Sequence, residues 1–373
     1  MAQVQQRDVS VDIIKGIGIV LMVCGHSGAP FTHFVYLFHM AIFFIASGYC
    51  YKSAKAISNA AFVGFVRRKF RTMYFPYVLW MTIFILLNNC FLDIGVYTDN
   101  PEALPYMAVP KLGSYYTVGD FISHLSQAFV LHGHSLMAGA FWFIAALMVL
   151  SILYCLIDTL LRKITKEEAQ VIRRQGVVSV VFLAIGYGIA LTGRQIAGVG
   201  TIFSMYILFW LGYVAKMYGL SSRERPARHH GAIFAGCFAV LLLLNPLGNV
   251  NTGNNEYVNP AFLLTASIAG WQMLYEAGYF IRRCAALRDV IVIIGQNTLA
   301  ILVLHFCAFK FISLAAIHYY GYPSYLLGTF PYISSLQGGW WVAYTIVGVG
   351  LPLALNLARK RIMQAMVARK TQA

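Results

Sequence analysis

Charge is scarce in this chain. Of its 373 residues only 11% are Asp, Glu, Lys or Arg, against roughly 25% in a soluble domain, so a wholly water-facing surface is excluded. Acidic residues are scarcest, 13 against 28 basic, for a net charge of +15. The seven cysteines (24, 50, 90, 155, 237, 284 and 307) stand singly, with no paired spacing for zinc and no disulfide framework. Internal repeats and low-complexity tracts are also missing. What is present is apolar: 59% of residues are hydrophobic, gathered in long runs that basic clusters follow, with a mean hydropathy of +0.68. That is the pattern of an all-α polytopic integral membrane protein whose partner is the lipid bilayer. The basic residues lie between the runs, not along one soluble face, which argues against a nucleic-acid partner.

The runs predict ten helices, at 12–29, 33–51, 72–92, 139–161, 176–193, 198–217, 231–247, 260–281, 289–312 and 339–358. The first contains Lys15 and leads straight into the second, so it reads as retained and not as a cleaved leader. Alternating the intervening segments between two sides puts 25 of the 28 Lys and Arg residues on the side of the N-terminus, leaving Lys111, Arg194 and Lys310 for the other. The positive-inside rule then predicts cytoplasmic termini. The longest polar interval, 93–138, falls outside, and the helical spacing of its apolar residues from Phe121 to Phe129 predicts an interfacial or re-entrant helix. His229 and His230 fall in a basic loop and read as solvated.

Polar groups inside the apolar runs are costly to keep. Lys15 and His26 are eleven residues apart in the first run, about 20° from eclipsed after three turns and ~16 Å apart along a helix. With a membrane core of about 30 Å, His26 is expected ~21 Å above the cytoplasmic edge and His305 ~24 Å above it, with His39 ~10 Å below the outer edge. Three helices thus offer an imidazole to one layer. A buried imidazole favours its neutral form, and a neutral imidazole can take a proton from a hydroxyl as a general base. His39 and His305 taken alone read first as interhelical hydrogen-bonding groups, whereas for His26 the balance reverses because Lys15 lies below it on the same face. A three-histidine metal site is a weaker reading, since Asp12, Asp158, Glu276 and Asp289 all fall near the other ends of their runs, and no metal is expected.

These residues carry a family likeness. Asp12-Ile-Ile-Lys15-Gly16-Ile17 with His26, the segment Phe38-His39-Met40-Ala41-Ile42-Phe43-Phe44-Ile45-Ala46-Ser47-Gly48-Tyr49, and Arg67-Arg68-Lys69-Phe70-Arg71 before Pro76-Tyr77 resemble membrane acyltransferase family 3. Within it they are similar to the fucose 4-O-acetylase-like branch. Trp142-Phe143-Ile144 and Gly295-Gln296-Asn297-Thr298-Leu299, ending at His305, match two later landmarks; Ala41 replaces the usual proline. The resemblance implies a single acyltransferase domain over 1–373 in a bacterial inner membrane. It implies transfer of an acyl group, usually acetyl, from cytoplasmic acyl-CoA to a hydroxyl of a glycan or lipid-linked sugar. His26 is then essential and Lys15 supports catalysis or donor binding, paired with Asp12. Arg67, Arg68, Lys69 and Arg71 become candidates for the CoA phosphates, although an anionic-lipid contact explains them equally. His39, Ser47, Asn297 and His305 are candidates to orient His26 or stabilise an oxyanion, with Trp142 as substrate or structural support. An acyl-enzyme on Ser27, Cys24 or Ser47 is the chemical alternative, and a sugar exporter or flippase without acyl transfer the functional one.

Overall fold

The computed structural model describes residues 8–194, 198–219 and 225–372; Arg7 and Arg223 of the basic count lie outside them. The first half comprises α1 (Val9–Gly25), α2 (Thr32–Tyr36), α3 (Ala41–Tyr49), α4 (Asn59–Lys69), α5 (Phe75–Leu86), α6 (Asn88–Asp93), α7 (Val118–Phe129) and α8 (Trp142–Ile164). There follow α9 (Glu168–Leu191), α10 (Val199–Met217), α11 (Ala227–Leu244), the two-residue strands β1 (Val250–Asn251) and β2 (Glu256–Tyr257), α12 (Pro260–Ile281), α13 (Ala285–Gly295), α14 (Thr298–Tyr320) and α15 (Trp340–Gln372). The protein is an all-α membrane protein. Among the described residues, seven helices are long and apolar enough to cross a bilayer, counting Thr32–Tyr49 as one. The other three predicted spans correspond to α1, the α4–α5 rod and α12.

Four predicted spans are differently built. The first ends at Gly25, not at 29. The second is broken by a turn between α2 and α3, and the ninth by Gln296-Asn297 between α13 and α14. The third begins far earlier, at Asn59, and passes through a π-helical turn at Phe70–Tyr74 before α5. Pro76 accounts for that turn: it has no N–H for the Thr72 carbonyl, and its ring would collide with it in a regular helix.

Glycines let key helices cross backbone to backbone, as small residues do in membrane bundles. A Cβ on Gly16 of α1 would lie 2.8 Å from Ile291 Cγ2 of α13, and one on Gly295 equally close to the Asp12 carbonyl carbon. One end of the bundle collects the basic residues. Asp8 caps α1 by accepting from the Ser10 N–H and pairs with Lys216 at the end of α10, while Arg282 at the end of α12 donates to Ser10. At the opposite end of α9 and α10 the β1–β2 hairpin is docked by Asn255, which donates to the Gly186 carbonyl and accepts from Ser204. Residues 118–129 are helical, begun by a reciprocal capping box of Thr117 and Asp120.

Candidate active site

His26 is the residue at which α1 stops. Its N–H still reaches back to the Met22 and Val23 carbonyls, the Ser27 hydroxyl donates to the Cys24 carbonyl, and Gly28 turns the chain away with φ +81°. The last orphan carbonyl, Gly25, accepts from the Tyr36 hydroxyl at 3.1 Å. The imidazole therefore stands at the C-terminal end of α1. It is half-buried, whereas His39 and His305 are buried.

The three histidines predicted to share a layer are gathered in a file of rings. His305 stacks on His26 with centroids 5.5 Å apart and 26° between planes, and Phe306 closes the same side at 5.2 Å. On the other side Tyr36 meets His26 edge-on at 6.3 Å and stacks on His39 at 4.8 Å. The Nδ1–H of His39 is given to the Val35 carbonyl (3.1 Å), and that of His305 to Leu302 (2.9 Å) and Ile301 (3.2 Å). Both rings thus keep Nε2 as a lone-pair nitrogen, and in His305 that nitrogen is buried with no partner among the described residues.

At the opposite end of α1, Lys15 pairs with Asp12 at 2.8 Å, and Asp12 accepts from Gln296 at 3.2 Å. Asn297 accepts from Asn356 (2.8 Å) and Lys360 (2.6 Å) of α15 and donates to the Ile293 carbonyl. Between the two ends lies a cavity of about 170 Å³, lined by Ile19, Phe43, Thr72, Met73, Phe143, Ile144, Leu147, Thr298, Leu299 and Leu302. At 100° per residue, Lys15, Ile19 and His26 fall within about 40° on α1, and Thr298, Leu302 and His305 within about 60° on α14. The cavity therefore occupies the faces that carry the histidines at one end and the lysine at the other. Ser151, one turn from Leu147 on α8, accepts from Lys69 Nζ at 3.1 Å.

The remaining candidates are dispersed. Asn297 and Ser47 are each eight residues from His305 and His39, ~12 Å along the helix, so neither reaches His26 as expected. Trp142 packs against Gly253 beyond β1, away from the histidines. Arg67, Arg68 and Arg71 are exposed, and only Lys69 turns inward. Ser27 is buried, donates to the Cys24 carbonyl and lies 3.0 Å from the Thr345 hydroxyl. His229 is exposed as predicted, but His230 is buried, hydrogen-bonded to Glu276 and stacked on Tyr279 at 3.6 Å. The loop histidines stay apart from the file: His132 and His134 are 5.0 Å apart and His124 stacks on Tyr116 at 4.5 Å. Burial, then His132 and Lys111, hold the His134 imidazole below its ordinary range. Among the described residues no three His, Cys, Asp or Glu side chains are placed to hold a metal ion. Tyr36 and Gln296 were not among the candidates; Tyr36 stands three residues before His39, and Gln296 falls within the landmark that ends at His305.

The site is thus an imidazole at a helix end, an apolar cavity along the same helical face, and a lysine–aspartate pair at the far end of that helix, all within a membrane bundle. The chain belongs to membrane acyltransferase family 3, whose acyltransferase domain matches residues 8–358. It is an acyltransferase that transfers groups other than amino-acyl groups. No curated protein and no solved structure matches it.

Proposed function

We propose that the chain, acting as one transferase domain, moves an acyl group, acetyl in the simplest case, from acyl-CoA to a hydroxyl of a surface glycan or lipid-linked sugar. The membrane is a bacterial inner membrane, and the donor enters at the Lys15 end, whose concentration of Lys and Arg supports a cytoplasmic side. Lys15, Lys69 and the exposed Arg67, Arg68 and Arg71 offer cations to its phosphates. Its arm lies in the cavity, and the thioester meets the acceptor at His26. Nε2 of His26 takes the hydroxyl proton as the oxygen attacks the thioester carbonyl. The tetrahedral oxyanion then collapses, the carbon–sulfur bond breaks, and the departing thiolate recovers the proton from His26 to leave as CoA. The observation that carries this reading is the cavity on the face that Lys15 and His26 share.

The test is His26→Gln, which keeps the side-chain volume, assayed with labelled acetyl-CoA and the surface polysaccharide of the same cells. Loss of a general base should lower kcat about 10²- to 10⁴-fold, while Lys15→Met should chiefly raise KM for the donor. Transfer by His26→Gln within tenfold of the wild type would falsify the assignment.

A further inference from the structure

We infer that Tyr36 is a positioning residue that fixes the tautomer of His26, with His39 packed against its ring. The inference rests on the reading of His26 as the base and deepens it. A phenol has one proton to give. Tyr36 gives it to the Gly25 carbonyl at 3.1 Å, which has lost its helical partner because α1 stops there. The phenol oxygen also lies 3.4 Å from Nδ1 of His26. With the hydroxyl proton already committed, the proton in that second contact must come from Nδ1. His26 is then protonated on Nδ1 and bare on Nε2, the state a base needs.

The arrangement is built into the chain. A Cβ on Gly25 would lie 2.6 Å from Cε1 of Tyr36, so glycine before His26 is what admits the ring. The opposite face of Tyr36 rests on His39 at 4.8 Å and 24°. His39 is itself anchored through Nδ1 to the Val35 carbonyl, one turn back across the break between α2 and α3. His305 does not compete for Nδ1 of His26, because the two rings lie face to face and in-plane N–H bonds do not point across a stack. A contact of 3.4 Å is long for a hydrogen bond at rest. It is poised to shorten once His26 carries the substrate proton, since charge-assisted bonds are shorter and stronger.

The test pairs a spectrum with kinetics. Nitrogen-15 NMR of histidine-labelled protein in detergent, with His26 assigned by its absence from His26→Gln, should show His26 protonated on Nδ1 in the wild type. In Tyr36→Phe, which keeps the ring and loses only the hydroxyl, that preference should be lost. Its kcat should fall about 10- to 100-fold, as for other outer partners that hold a histidine tautomer, with KM for acetyl-CoA unchanged. A wild-type His26 protonated on Nε2, or a Tyr36→Phe variant with undiminished kcat, overturns the inference. Should His26→Gln prove inactive while Tyr36→Phe is fully active, only the role of Tyr36 fails; an active His26→Gln removes the base itself.

Discussion

Leu147 offers the most direct way to ask whether the space between Lys15 and His26 is used. It lines the cavity from α8, one turn from the Ser151 that holds Lys69, and is itself only partly buried. In Leu147→Trp the indole projects into about 170 Å³ of existing void. The folding penalty should therefore stay at or below the ~1–3 kcal/mol typical of overpacking a filled core. Catalysis is more sensitive. A misplacement of about 1 Å between reacting groups costs about 10²-fold, equivalent to ~2.7 kcal/mol of barrier. The expected outcome is a fall of at least that size in kcat/KM for acetyl-CoA, with Tm close to that of the wild type. Leu147→Ala should retain transfer, since it widens the passage and loses less than the ~2–5 kcal/mol of a fully buried leucine. Both variants can be reconstituted in vesicles and followed by thiol release from acetyl-CoA alongside thermal unfolding. A correctly folded Leu147→Trp with wild-type kcat/KM would show that the donor does not use this space.

Two further outcomes concern groups outside the transfer site. His230→Leu strips a buried partner from Glu276, which keeps Gln272 at 2.5 Å; a loss of about 1–3 kcal/mol is expected, largely recovered in the double variant with Glu276→Met, both read by thermal unfolding in detergent. The Asp120 carboxylate is held below its ordinary range by the Thr117 N–H and hydroxyl. Its support of α7 is complete above the unfolded carboxylate pKa, about 3.9, and fades as the pH falls through the lowered folded value. Asp120→Asn should remove that acid dependence from amide exchange in α7, and an unchanged profile would assign it to other groups.

The shared face of Lys15 and His26 was legible because helical periodicity over eleven residues tolerates an error of several residues at either end. The convergence of His26, His39 and His305 was legible for the same reason: a depth estimate needs only approximate starts. The stops were not. The first apolar run predicts a helix to 29, whereas the helix ends at Gly25, where a carbonyl is claimed by Tyr36 from eleven residues further on. The break at Gln296-Asn297 was hidden inside an apolar run, because the hydrogen bonds that hold it open come from Asp12 and Lys360, remote in the chain. His230 was misjudged for a related reason. Its neighbours in sequence are basic and solvated, and its partner Glu276 lies on another helix. Residues defined by their own helix could be read; residues defined by a distant partner could not.

The cavity is not sealed on every side. Thr72, within the π-helical turn, and Leu299, at the start of α14, line it and are both exposed at the bundle's flank. With no membrane water to fill such a mouth, an alkyl tail from the surrounding medium has the same physical claim on it as a substrate. The surfactant chosen for purification is thus a competitive ligand in its own right. Slender single-chain surfactants should depress turnover in a concentration-dependent way that bulky steroid-based ones do not.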